Sequence, residues 1–206
     1  MSLSSPGPPA ALRRSAARER LLATASALFY AEGIASVGVD RLVKEAQVTL
    51  ATFYRHFPAK QDLVVAYLRG THERVAGRCE ALAERAEGEA LVRALGEEIT
   101  GELGRPGFRG CAFLNAASEF EDPDSPVRRM VAEHREWYLR FVRRAFGEAD
   151  HPQPGAAARH FVMLRDGAMS AAYLDTATAA ARTFRRGVEG LLRSGAIAIA
   201  AEGDDP

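Results

Sequence analysis

Apolar residues return at intervals of three and four along almost the whole chain, the spacing of a single helix face. Leu21, Leu22, Ala25, Leu28 and Phe29 form one stripe, and Gly33 follows it as a suitable helix stop. Val39, Leu42, Val43 and Ala46 predict a two-turn helix. A third helix begins after Thr49, whose hydroxyl can cap orphan N–H groups, and ends at Pro58, since the residue before a proline avoids helical geometry. A long helix is predicted from Lys60 to about Arg85, with Leu63, Val64, Tyr67, Leu68 and Val75 inward. Another covers 89–103 and is broken by Gly104-Arg105-Pro106-Gly107. After a short helix over 110–120, Ser125-Pro126 opens a helix as cap and first-turn proline. Its stripe is the clearest in the chain: Val127, Met130, Val131, His134, Trp137, Tyr138, Phe141, Val142 and Ala145. Helices over 154–174 and 178–200 complete the pattern. Strand-like runs are absent, so the expected fold is all-α with about nine helices.

Composition adds boundaries rather than chemistry. Hydrophobic residues make up 47% and charged residues 26% of 206, ordinary for a globular protein. No window approaches a membrane span, and the Ser/Pro/Gly-rich start lacks a secretory layout. Residues 1–13 read as a disordered arm. Cys79 and Cys111 fit neither a disulfide framework nor a zinc signature, and read as reduced thiols of a cytoplasmic protein. The zero net charge is unevenly spread: residues 1–60 hold eight basic and four acidic side chains, a local +4 that the remainder balances. A basic first third on a faintly acidic body suits a nucleic-acid-binding head.

The chemistry concentrates between Leu42 and Val64. Two short helices, about Asp40–Ala46 and Leu50–Phe57, joined by a tight turn, follow the helix-turn-helix plan. The second would lie in the major groove with its N-terminal residues toward base edges. Thr49, Leu50, Ala51, Thr52, Tyr54, Arg55, His56 and Lys60 are the candidate DNA-binding residues. Thr52 can donate and accept at a base edge, and Arg55 can reach guanine through two bonds. Tyr54, Lys60 and a protonated His56 suit phosphates, which fix register without reading sequence.

The stretch from Arg18 to Val64 resembles the DNA-binding domain of the TetR family of bacterial transcription regulators. The resemblance rests on LLATASALFYAEG, on VDRLVKEAQVTLATFYRHFPAKQDLV, and on Phe53, Tyr54, His56 and Phe57 followed by Lys60. Phe108 to Ala116 is similar to a signature of one subgroup of that family. The resemblance implies a DNA-binding domain over 14–59 and a ligand-binding and dimerisation domain over 60–206. It implies a ligand-responsive regulator, a repressor released from a palindromic double-stranded operator by a small molecule, with no catalytic residue, cofactor or metal. The chain departs from the family at Gln47, where glycine usually occupies the turn. A left-handed non-glycine residue there costs about 1 kcal/mol. Leu50 replaces a frequent lysine, and Val37 and Gly38 replace hydroxyl residues. Ala59 replaces a capping serine, although Asp62 can favour that helix start through the dipole.

For the remaining two thirds, the resemblance implies a homodimer through the last two helices and a pocket between the middle ones. The small residues of 154–174 and 178–200, among them Gly167, Ala168, Ala171, Gly187 and Gly190, suit close helix approach. Spacing alone leaves packing within one chain equally open. Tyr67, Phe113, Met130, Trp137, Phe141 and Phe161 could line an apolar pocket, with Asn115, Glu119, His134 and His160 as its polar groups. The same aromatic stripe also fits an ordinary core. An all-helical enzyme or small-molecule carrier is the competing reading, for which Ser118 with His134 or His160 is the best catalytic assembly. A constitutive architectural DNA binder is a third.

Overall fold

The computed structural model describes residues 10–193. Among them the chain forms nine helices and no strand: α1 (Ala10–Glu32), α2 (Val39–Glu45), α3 (Leu50–His56), α4 (Lys60–Ala83), α5 (Gly88–Leu103), α6 (Ala112–Glu119), α7 (Pro126–Glu148), α8 (Pro154–Leu174) and α9 (Ala177–Arg193). None is long and apolar enough to cross a membrane. The all-α expectation holds, with differences at the ends. Of the arm expected over 1–13, residues 1–9 lie outside the described residues. Ala10 to Arg13 instead begin α1, because Ala-Ala-Leu-Arg is a run of strong helix formers. Residues 194–200, expected to prolong α9, also lie outside the described residues. Val75 is half-buried rather than inward.

The chain divides into two compact units. The first holds the residues up to Thr71 together with Asn115–Met130. Here α1, α2 and α3 pack on one another around Leu21, Ala25, Val37, Leu42 and Phe53, all with negligible exposure. Phe29 meets Tyr67 edge-on at 5.9 Å. Arg20 Nε donates to the Ala46 carbonyl at the end of α2 (3.1 Å), placing a cation where the helix dipole is negative. Ser125 caps α7, its Oγ accepting from the Arg128 N–H at 3.2 Å, and Pro126 takes the first helical position.

The second unit holds His72–Leu114 and the residues from Val131 onward. Helices α5, α8 and α9 pack against one another there. Phe161 is fully buried and meets Phe146 and Phe184 edge-on at 6.2 and 5.6 Å, an arrangement favoured by the ring quadrupoles. Arg185 grips Glu97 through two bonds of 2.7 Å, tying α9 to α5. A Cβ on Gly187 would sit 2.8 Å from Leu164 Cδ1, the end of a side chain that would have to turn to admit it. Gly88 has φ +54°, and a Cβ there would meet the Glu148 carbonyl oxygen at 2.9 Å.

Candidate nucleic-acid interface and ligand cavity

The turn between α2 and α3 is a Schellman motif. The N–H of Val48 donates to the Val43 carbonyl at 3.0 Å, and that of Gln47 to the Lys44 carbonyl at 3.2 Å. Gln47 has φ 53°, the left-handed conformation for which glycine is the usual residue. The shape of the turn is thus kept and Gln47 carries the strain. Thr49 then caps α3 as expected, its hydroxyl accepting from the Thr52 N–H at 3.1 Å.

Helix α3 buries Phe53, with Phe57 just beyond it, and leaves a coherent outer face. Leu50 is 44% exposed and Tyr54 50%, with Ala51 and Arg55 exposed beside them. These positions follow one another at one and four residues, the spacing of one helix face. The Tyr54 ring stands edge-on to Phe53 at 5.2 Å, so the buried ring braces the exposed one. Thr52 is half-buried and its hydroxyl meets that of Thr49 at 2.9 Å, with Arg55 alongside at 3.4 Å.

Two expected phosphate ligands are placed otherwise. Lys60 Nζ donates to the Ile34 carbonyl at 2.6 Å and lies 5.9 Å from the centre of the Phe29 ring. Burial lowers its pKa, partly opposed by Glu119. An ammonium that points inward to a carbonyl is turned away from solvent phosphates. His56 is half-buried, its ring turned in beneath α3 with Nε2 enclosed.

Glu119 also departs from expectation. Its two carboxylate oxygens accept from the backbone N–H groups of Ile34 and Ala35, at 3.0 and 2.5 Å. The α1–α2 turn is therefore clasped through three backbone groups, two by the α6 carboxylate and one by the α4 ammonium. Glu119 is a structural brace of the first unit and no pocket residue, because both its oxygens are already engaged. Asp62 fills the gap left by Ala59, accepting from the Ala59 N–H at 2.8 Å, the reciprocal half of a capping box.

The other pocket candidates divide between the units. Tyr67, Asn115 and Met130 belong to the first. In the second, Phe113, His134 and Trp137 come together. His134 stacks on Phe113 at 3.6 Å and shares an Nδ1 to Nδ1 hydrogen bond of 3.0 Å with His72, so one ring donates and the other accepts. Burial first, then the charge of Arg165 and the neighbouring His72 ring, push the His134 pKa down to about 3, so the ring is neutral at ordinary pH. Trp137 lies 5.9 Å from Phe141, which has Arg144 over its other surroundings at 5.0 Å. Phe161 is core, as its two edge-on partners require. His160, expected on the apolar face, is exposed, because the buried stripe of α8 runs through Ala157, Ala158, Phe161 and Val162. Ser118 Oγ donates to the Asn115 carbonyl at 2.8 Å, not to a histidine.

The depressions among the described residues of the second unit include two of different size. A trough of about 640 Å³ runs along α8 and α9, lined by His160, Met163, Gly167, Ala171, Ala179 and Thr183 among others. Met163 and Leu174 are 66% and 78% exposed on that hairpin. Ala157, Ala158, Ala168, Ala180 and Ala181 are buried already. The small residues therefore serve both the packing of α8 on α9 and an open outer face. The other depression is a cavity of about 30 Å³ walled by Cys111, Phe113, His134, Tyr138, Val162 and Arg165. Arg165, Cys111 and Tyr138 also wall this cavity and are not among the residues that the sequence singles out for a pocket. The signal for Arg165 was present, since it falls on the buried stripe four residues after Phe161.

The family model for bacterial regulatory proteins of the tetR family matches residues 21–67, from the middle of α1 to the first turns of α4. A TetR-family transcriptional regulator from Streptomyces coelicolor is 48% identical, with 87% of this chain and 96% of the other covered at a TM-score of 0.84. The regulatory protein TetR from Rhodobacter sphaeroides is 25% identical over 83% and 98%, at a TM-score of 0.72. The reduced form of NemR from E. coli, 21% identical over 84% and 95% at a TM-score of 0.76, shares the fold. Comparison with the curated proteins gives no match. With a helix-turn-helix of this geometry and a relative of that identity over nearly its whole length, this chain belongs to the TetR family of transcriptional regulators.

Proposed function

We propose that the protein is a homodimeric repressor that leaves a palindromic operator when a small molecule binds its second unit. The exposed face of α3 carries this reading: Leu50, Ala51, Tyr54 and Arg55 stand outward on a capped helix that follows a tight turn. In a major groove, Arg55 would read a base edge, and Tyr54 and Thr49 would meet phosphates. Leu50 would offer apolar contact to a thymine methyl. Lys60 holds the α1–α2 turn and lies outside this set, and His56 supports α3 from within. The DNA-binding domain would run over 14–59 and the effector and dimerisation domain over 60–206.

The outer faces of α8 and α9 would meet their two-fold copies. Exposed Met163, beside Gly167 and Ala171, lines an open apolar trough that a second hairpin would cover, and exposed Leu174 stands on the same helix. One head alone reads few base pairs, so dimerisation and operator palindromy belong together. An effector would act through α4, whose 24 residues are continuous from Lys60, to the extent that it binds the two head spacings differently.

Selection from random duplexes followed by a salt titration tests the reading. The expected result is one enriched palindrome whose affinity falls steeply with salt. Tyr54→Ala with Arg55→Ala should abolish its binding and leave the thermal transition unchanged. No enrichment at any salt, or binding that survives the double variant, refutes the assignment.

A further inference from the structure

Arg165 is the least solvated cation of the small cavity, its side chain only 13% exposed. It donates to Asp166 Oδ1 at 2.9 Å and to Cys111 Sγ at 3.4 Å, and its guanidinium carbon lies 5.4 Å from the centre of the Tyr138 ring. Asp166 is not its private partner. The other oxygen of that carboxylate takes Arg135 at 2.6 Å, so two guanidinium groups share one negative charge. His134, on the same wall, adds none, because burial keeps it neutral. The cavity therefore carries an excess positive charge. One donor of that charge ends on a thiol, a weak acceptor. A buried cation gains most from a charged oxygen partner.

The remaining walls are apolar: Phe113, Leu114, Val131 and Val162. We propose that this cavity binds the carboxylate of a small organic acid with an apolar body, held by Arg165 and the Tyr138 hydroxyl. The proposal rests on the effector-responsive reading above and names the chemical class of the effector. By turning from Cys111 Sγ, Arg165 can present two parallel N–H groups to one carboxylate. The space of about 30 Å³ is roughly that of one water-sized group, so the oxygens enter first. The apolar body follows only as the half-buried Leu114 and Val131 give way.

Trp137 is the single tryptophan and its ring lies 5.7 Å from His134, so its fluorescence reports on the cavity wall. Hexanoate and cyclohexanecarboxylate, each paired with its neutral amide, are titrated onto the full-length protein at neutral pH and constant ionic strength. Inorganic phosphate is the control anion. Saturable binding of the carboxylates, with the amides about tenfold weaker or worse, is expected from loss of charge-assisted bonds. Arg165→Gln should erase that preference while operator binding without probe persists. The paired comparison on the wild-type protein stands even if that variant does not fold. Equal binding of amide and acid overturns the proposal, as does a preference that survives Arg165→Gln. So does phosphate binding as tight as hexanoate, or no saturable binding by any of the acids. Operator selection on the same preparation is read separately. Acids that bind while no operator is enriched would sink the regulator reading and leave the anion site standing.

Discussion

Replacing Gln47 by glycine should stabilise the protein. Gln47 sits at φ 53° with both Schellman hydrogen bonds made, and its side chain is exposed. The substitution therefore removes no contact seen in the fold. It relieves the clash between Cβ and the following carbonyl, about 1 kcal/mol for a left-handed residue. Glycine's greater freedom in the unfolded chain takes back part of this, so a net gain of about 0.5 kcal/mol is expected. For a chain of this length that is roughly a 1–2 °C rise in the thermal midpoint. Urea or thermal unfolding at fixed protein concentration measures it, since a dimer's midpoint depends on concentration. Gln47→Ala keeps the Cβ and should change stability little, and Gln47→Asn should fall between. Operator affinity and its salt slope should stay at the wild-type value, because the turn hydrogen bonds that aim α3 remain. If glycine is neutral or destabilising while alanine matches it, left-handed strain is not what distinguishes this turn.

Lys60→Met should cost about 1 kcal/mol, through an Ile34 carbonyl left without its 2.6 Å donor, yet leave the salt slope of operator binding unchanged. A slope reduced by about one unit would return Lys60 to the phosphates. His134 should weaken the fold in acid. Its folded pKa of about 3 lies below the unfolded value near 6.5, so the unfolded chain takes the proton first. Its contribution is full above pH 6.5 and falls by a few kcal/mol as pH drops toward 3. His134→Leu should flatten that limb in urea titrations across pH, and an unchanged acid limb would refute a neutral buried ring. Gly88→Ala should lower stability by about 2 kcal/mol or more, since it adds left-handed strain to a 2.9 Å approach to the Glu148 carbonyl. A neutral effect in calorimetry would contradict that close packing.

What the sequence made legible was local. Helix faces, the Thr49 cap, the Ser125-Pro126 start and the strained Gln47 all follow from residues within one or two turns of each other. What it hid was set by pairing over distance. Glu119 meets Ile34 and Ala35 across more than eighty residues, and Lys60 meets Ile34 across 26. A charged residue near a binding motif looks the same in sequence whether it faces solvent or a backbone carbonyl. His160 shows the other failure. One residue along a helix is a rotation of about 100°, so a stripe drawn wide enough to take in His160 beside Phe161 counts surface as core. Arg165 shows the reverse: its position on the buried stripe was readable, but its meaning needed Cys111 and Tyr138 beside it.

The departures of the head from its family pattern have unequal physical consequences. Ala59 lacks a capping hydroxyl, but Asp62 takes the Ala59 N–H at 2.8 Å, so the start of α4 is still bonded. The α1–α2 turn lacks hydroxyl residues at Val37 and Gly38, and Gly38 opens α2 with no side-chain cap, while Glu119 and Lys60 hold Ile34 and Ala35 earlier in the turn. Only the change at Ala59 is met by a partner that restores the hydrogen bond. Strain at Gln47 cannot be met in that way, because no neighbour can relieve a Cβ in the left-handed region. Leu50 is different again: it removes a cation from an exposed position, and what it alters is the balance between phosphate anchoring and apolar base contact. Restoring a lysine there should therefore strengthen binding to all sequences more than it sharpens choice among them. Gln47→Gly should touch stability alone, and the two changes together separate how the head is built from how it binds.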